Sequence, residues 1–236
     1  MFPLRDSIPS ARPPVVSVLI IVACVVAFFY ELLLGRHLER FLFAYAFVPV
    51  RFFYPEAFDA SFAFNLFTLV FSMFLHGGWL HLIGNMWFLW VFGDNVEDAL
   101  GHGRFFLFYL VCGAVAALTQ GLVEPGSRVP MIGASGAIAG VLGAYLLWFP
   151  WSRIKSLVFL GFFVTMTELP APVFLILWFI IQFFSGTLSL AAAGGAGGGV
   201  AWFAHIGGFL AGATLAWWLR RRGHVRPAPR YFAFWE

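Results

Sequence analysis

Residues 15–34 read VVSVLIIVACVVAFFYELLL, twenty positions with a single carboxylate, Glu31, among otherwise apolar or small side chains. The hydrocarbon core of a bilayer is about 30 Å thick, and a helix rising about 1.5 Å per residue crosses it in roughly 20 apolar residues. The stretch therefore has the length and composition of a membrane span. It begins just after Pro14 and shows no small-residue cleavage site at its end, so it is read as a retained first span and not as a removed signal peptide.

Further runs of the same kind follow at 79–93, 103–122, 133–150, from Pro170 to Phe184, and at 200–219. The whole chain of 236 residues is 61% hydrophobic and 11% charged, with a mean hydropathy of +0.89. Soluble domains are about half apolar and a quarter charged, so the composition excludes a soluble globular protein. The runs are apolar on both phases of a two-residue repeat, which excludes a transmembrane β-barrel. The expectation is an all-α polytopic bundle of six transmembrane helices. Its parts are a cytoplasmic N-terminus at 1–14, a membrane domain at 15–219 and a C-terminal tail at 220–236.

Two segments resist a simple assignment. Residues 35–75, including FVPVRFFYPEAFDASF at 47–62, are too polar for a span and too aromatic for a free loop, so they are placed at the membrane interface. Residues 154–172, IKSLVFLGFFVTMTELPAP, carry Pro170 and Pro172, which suit a helix start. The apolar part before them is assigned to a loop buried at the interface.

Charge sets the orientation. Six spans put both termini on one side, together with Arg5, Arg12, Arg104, Arg153, Lys155, Arg220, Arg221, Arg222, Arg226 and Arg230. The other side holds Arg36, Arg40, Arg51 and Arg128. The positive-inside rule then places both termini in the cytoplasm. The cluster RRRGHVRPAPR at 220–230 reads as a topology signal in contact with lipid headgroups and not as a nucleic-acid patch. On the far face lie residues 76–81, the loop before Ser135 and the glycine-rich loop AAAGGAGGG at 191–199.

Polar groups inside spans are costly and mark sites. His81 and Asn85, four apart, share a helix face. Read by themselves, they fit interhelical hydrogen bonding. Three histidines, His76, His81 and His205, could in principle ligate a metal, but an amide is a poor zinc ligand and no H-E-x-x-H is present, so no metal or cofactor is expected. Cys24 and Cys112 are far apart, each in an apolar run, and suggest neither a disulfide nor a zinc site.

Ser135 stands in Gly-Ala-Ser-Gly, with Gly133, Gly136, Gly140 and Gly143 in a small-residue pattern that lets helices approach closely. That segment alone favours packing. The serine also follows the loop EPGSRVPMIG and so starts its helix, where free N–H groups and the dipole favour negative charge such as an oxyanion. Gly133 and Gly136 leave room for a substrate backbone and for a tight entry turn. A serine needs a base, and His205 is the histidine on another span that could meet it. Gly207, Gly208 and Gly212 would bring that span close.

Taken in order, HGGWLHLIGN at 76–85, GASG at 133–136 and AHIGG at 204–208 resemble the rhomboid family of intramembrane serine proteases over about residues 60–220. The resemblance implies Ser135 as nucleophile and His205 as general base, with His81, Asn85 and the Ser135 N–H stabilising the oxyanion. It implies a supporting role for His76 at the rim of the site. GDNVEDALG at 93–101 fits the family's G-x-x-x-E-x-x-x-G, which makes Glu97 an interhelix structural carboxylate.

Two features depart from the family pattern. The Trp-Arg pair that many members carry after the first span is absent, and Ala139 occupies the place where some members stack an aromatic ring on the histidine. What orients His205 is not given by the sequence. The implied partners are single-span membrane-protein substrates and the lipid bilayer, with no nucleic acid. The implied location is a bacterial plasma membrane with the site opening opposite the termini. A catalytically silent relative that binds membrane clients, and a small transporter or channel lined by His81, Asn85, Ser135 and His205, are the competing readings.

Overall fold

The structure, a computed structural model, describes residues 2–58, 60–160, 163–192 and 201–226. Most of the glycine-rich loop expected on the far face, residues 193–199, and the tail from residue 227 lie outside the described residues. The chain opens with a short strand, β1 (Phe2–Asp6), and then α1 (Val15–Leu34). Three short helices follow, α2 (Leu38–Tyr45), α3 (Pro49–Phe53) and α4 (Phe62–Phe71), and then α5 (Trp79–Leu100), α6 (His102–Val123) and α7 (Ser135–Trp148). A hairpin of β2 (Arg153–Leu160) and β3 (Phe163–Pro170) leads into α8 (Ala171–Ala192) and α9 (Trp202–Arg221).

Local chemistry sets several boundaries. Ser61 caps α4 by accepting the Phe64 N–H at 3.2 Å, and Pro49 opens α3 where its missing N–H costs nothing. Gly101 ends α5 and starts α6 with a φ of 80°, a left-handed turn that a side chain would resist. In the region expected at the interface, Arg51 is buried and its guanidinium donates to the carbonyls of Phe43 (2.5 Å), Ala44 (2.9 Å) and Ala46. It thereby satisfies the free C-terminal carbonyls of α2.

By length and composition alone, Val15–Tyr45 and α6 can each cross a membrane. The segments Phe62–Phe74 and Trp79–Leu100 meet the same test as a pair bent by 87°. The shorter α7 is the centre of the bundle, buried along almost its whole length against α5, α6 and α9. A helix enclosed by protein can be short and glycine-rich, since it presents no surface to lipid.

Small residues make that enclosure possible. A Cβ on Gly143 would strike the Phe209 backbone, and one on Gly208 would strike the Gly136 carbonyl. On the other flank of α7, a Cβ on Gly136 would lie 2.5 Å from the Ala116 Cβ. Apolar helices in lipid gain nothing from the hydrophobic effect on associating, so backbone approach and van der Waals contact must hold them together.

The loop expected over 154–172 is instead the β2–β3 hairpin, which pairs with β1 in an antiparallel sheet of order β1-β2-β3. Arg153 lies opposite Pro170, and Ser156 opposite Thr167. The Val-, Phe- and Thr-rich composition suits paired strands, and Pro170 closes β3 just before α8. The helical bundle is as expected, with this small sheet appended to one end. β1 is fastened there by Trp87, whose Nε1 donates to the Pro3 carbonyl at 2.5 Å. Asp6 accepts from the Tyr145 hydroxyl and, at 2.8 Å, from Asn95 Nδ2.

The sheet carries Arg5, Arg153 and Lys155 to the end of the bundle where α7 and α9 finish. Arg104 is there too, donating to the His224 carbonyl at 3.2 Å, as is Arg220, donating to the Leu147 carbonyl at 3.3 Å. Arg221 stacks over Trp217, 4.1 Å from the ring centre. The first residues of α5, α7 and α9 gather at the opposite end.

Candidate active site

Ser135 is the first residue of α7. The loop before it is pinned from two sides, by Met131 N–H donating to the Phe47 carbonyl at 2.8 Å and by Gly133 N–H donating to the Ser72 carbonyl at 3.0 Å. Gly133 has a φ of 119°, and a Cβ there would lie 2.6 Å from His81 Nε2 and 3.5 Å from Asn85 Nδ2. Glycine is required twice over, by the backbone conformation and by the side chains pressed against it.

His205 lies in the first turn of α9, and its Nε2 is 2.8 Å from Ser135 Oγ. Seventy residues apart in sequence, the two meet because the glycine faces of α7 and α9 touch. The other ring nitrogen, Nδ1, is 2.6 Å from Oε1 of Gln182, a buried residue of α8. Trp178, one turn earlier on α8, has its ring centre 6.0 Å from that of the imidazole at 38°, and Trp202 meets it edge-on at 6.1 Å.

Gln182 is the functional candidate that sequence reasoning missed. The signal was present: one amide inside APVFLILWFIIQFFSG, where a polar side chain is as costly as the histidines of the other spans.

His81 and Asn85 project from the first turns of α5. A cavity of about 300 Å³ is lined by His81, Gln120, Glu124, Met131, Ser135 and His205. A second, of about 200 Å³, reaches Asn85 and Gln182 beside the same serine and histidine. Asn85 Nδ2 is buried and has no hydrogen-bond partner among the described residues. An orphaned buried donor costs about 1–3 kcal/mol, so this one is held where a ligand oxygen could repay it.

The remaining candidates divide between this site and the rest of the bundle. His76 sits behind His81 with ring centres 5.2 Å apart, and its backbone N–H donates to the Glu31 carboxylate of α1 at 3.2 and 3.3 Å. Gly136 faces Ala116, while Gly208 and Gly212 face α7. Glu97 is at the other end: it accepts from Val16 N–H (2.7 Å), Ser17 N–H (2.8 Å) and Ser17 Oγ (2.7 Å), and lies 2.6 Å from His102 Nδ1. It ties α5 to the start of α1 by satisfying free helix N–H groups. Among the described residues, no three of His, Cys, Asp or Glu converge as a metal-binding group.

The Rhomboid domain family model matches residues 63–222 of the chain. Rhomboid-like protein 11, chloroplastic, of Arabidopsis thaliana is 32% identical over 66% of this chain and 53% of its own length. Rhomboid protein 1, mitochondrial, of Saccharomyces cerevisiae is 30% identical over 70% of this chain and 47% of its own length. A shorter match, 44% identical over 30% of this chain and 14% of the other, is to Rhomboid protease GluP of Bacillus subtilis. The chain thus spans about half the length of the plant and yeast relatives. The matched region contains α5 to α9 with Ser135, His205 and the α5 polar pair, and the protein, whose apolar helices include α1 before that region, is an integral membrane protein that belongs to the rhomboid family.

Proposed function

We propose that this protein is an intramembrane serine endopeptidase acting through a Ser135–His205 dyad. The observation that carries the reading is the 2.8 Å contact between Ser135 Oγ and His205 Nε2 beside a cavity. In this reading Oγ attacks the scissile carbonyl while Nε2 takes its proton, giving a tetrahedral oxyanion. The intermediate collapses to an ester on Ser135 as His205 returns the proton to the leaving amine. Water, deprotonated by the same nitrogen, then releases the acid and restores the serine.

The oxyanion is assigned to the Ser135 N–H, His81 and Asn85. The unpaired Asn85 Nδ2 and the position of Ser135 at the start of α7 support that assignment. His76 supports His81 from behind. Donors fixed before reaction act strongly in a water-poor site.

The substrates in this reading are single-span membrane proteins whose cleaved segment leaves its helix, because a helical peptide bond is shielded and its carbonyl already bonded. Six spans, both termini in the cytoplasm and a site opening to the opposite face form the proposed topology. The collection of basic side chains at the end of the bundle remote from Ser135 supports it. A bacterial plasma membrane is the proposed location; the relatives include a Bacillus protein as well as proteins named as chloroplastic and mitochondrial.

The test is cleavage of a model single-span substrate in liposomes, with the cut mapped by mass spectrometry. Wild type cleaves and Ser135→Ala does not, although it folds. A fluorophosphonate labels Ser135 and fails on His205→Ala. A wild type that neither cleaves nor takes the probe is a silent relative or a transporter, and the proposal fails.

A further inference from the structure

We propose that Gln182 is the positioning residue of the dyad: its carbonyl holds His205 in the tautomer with the proton on Nδ1, so that Nε2 faces Ser135 as a base. The inference rests on the proposed function above and names the group that the sequence leaves unidentified.

A neutral imidazole has one N–H and one lone pair. To take a proton from Ser135 it must present the lone pair at Nε2, which leaves the hydrogen on Nδ1, inside the protein and in need of an acceptor. Gln182 Oε1, 2.6 Å away, is that acceptor. The choice is not symmetric. An amide that turned its NH₂ toward Nδ1 would favour the opposite tautomer, and His205 would then donate to Ser135 instead of accepting from it.

Among the described residues, no carboxylate takes this place. Glu31 is engaged by the His76 backbone N–H, Glu97 binds the start of α1, Asp6 ends β1 at the far end of the bundle, and Glu124, which lines the cavity, makes no hydrogen bond to His205. A neutral acceptor suits the location, because a permanent anion buried in an apolar bundle is penalised by its loss of hydration. The amide dipole still favours the imidazolium that forms in the transition state. Trp178 comes from the same helix four residues earlier, with its ring centre 6.0 Å from that of the imidazole, whereas position 139 of α7 is an alanine and supplies no aromatic side chain. α8 thus orients His205 through both contacts.

The experiment compares full-length wild type, Gln182→Leu and Gln182→Glu in detergent micelles or liposomes. Gln182→Leu keeps the bulk and removes the acceptor; kcat should fall about 100-fold with KM within about threefold, the pattern of a lost second partner of a catalytic histidine. Gln182→Glu keeps an acceptor oxygen in either protonation state and should recover kcat to within about tenfold of wild type. Nitrogen-15 NMR of the histidine rings, with His205 assigned by its loss in His205→Ala, should show the proton on Nδ1 in wild type and a rise of the Nε2–H form in Gln182→Leu.

The proposal is overturned if Gln182→Leu keeps kcat within threefold of wild type, if Gln182→Glu is as slow as Gln182→Leu, or if wild-type His205 carries its proton on Nε2. The tautomer measurement needs no turnover. Failure of the protease reading, seen as a wild type that neither cleaves nor is labelled, is therefore distinguishable from failure of the Gln182 assignment. Should Gln182→Leu not fold, the wild-type tautomer decides.

Discussion

Gly212 of α9 lies so close to Gly140 of α7 that a Cβ on Gly212 would stand 2.0 Å from the Gly140 carbonyl oxygen. The catalytic candidates are carried on these two helices, so the contact sets the distance between Ser135 and His205 as well as the stability of the bundle. Gly212→Ala should push the helices apart, at a cost of about 1–3 kcal/mol for an overpacked interior, and cleavage should fall more than the folded fraction does. Gly103→Ala, at the start of α6 and remote from Ser135, is the control: a Cβ there meets nothing within 4 Å, so its activity should match wild type and its thermal midpoint should equal or exceed it.

Asn85 offers a cleaner test of the oxyanion donors, since its Nδ2 has no partner among the described residues to lose. Asn85→Ala should lower kcat by about 100- to 1000-fold, the range for removing one such donor. Its thermal midpoint should equal or exceed that of wild type, because an unpaid buried amide has been removed. A large loss of stability with kcat retained would reassign Asn85 to helix packing.

Glu97 should behave in the opposite way. Its carboxylate accepts three hydrogen bonds from Val16 and Ser17 at the end of the bundle remote from Ser135. Glu97→Ala should cost about 3 kcal/mol, from bonds to a charged acceptor worth roughly 1.5–3 kcal/mol each, partly offset by water entering the site. The fraction that remains folded should cleave at a normal rate. Denaturation followed by a rate measured per labelled Ser135 separates the two quantities.

The N-terminal strand should respond to pH through Asp6. Burial lifts its carboxyl from the ordinary 3.8 to about 7, and the Asp94 charge adds to this, against the hydrogen bond from Tyr145. The folded protein therefore holds the Asp6 proton more tightly than the unfolded chain does. The corresponding stability is present in full below about pH 4 and is lost as pH rises through 7. Thermal midpoints measured from pH 4 to pH 8 should fall across this window in wild type, and the fall should be smaller in Asp6→Asn, which cannot ionise.

Much of the architecture is legible locally. The run 15–34 is α1 residue for residue, and the runs beginning near 79, 103 and 133 become α5, α6 and α7, because length and hydropathy in a low-dielectric solvent leave the helix as the structure that satisfies its own backbone. The sheet was not legible. Residues 154–160 (IKSLVFL) show no regular alternation of apolar and polar side chains, and one of the two partners of β2 is β1, about 150 residues upstream, where Phe2 faces Leu157. Pairing over that separation leaves no periodic mark on either strand. Gln182 was visible as a residue but not as a contact, since nothing along α8 says which nitrogen of which helix its carbonyl will meet.

The amino-acid sequence by itself determined the solvent of this protein, its helices and the small set of polar groups that hydrocarbon would not tolerate without a purpose, all of which depend on the chemistry of neighbouring residues. Only the tertiary structure decided that Ser135 Oγ and His205 Nε2 stand 2.8 Å apart and that Gln182 closes the other side of the imidazole. The first distance depends on how closely α7 and α9 can approach, which is set by glycine against carbonyl across helices far apart in the chain, and the second on the packing of Trp178 and Phe179 of α8 against Phe209 of α9.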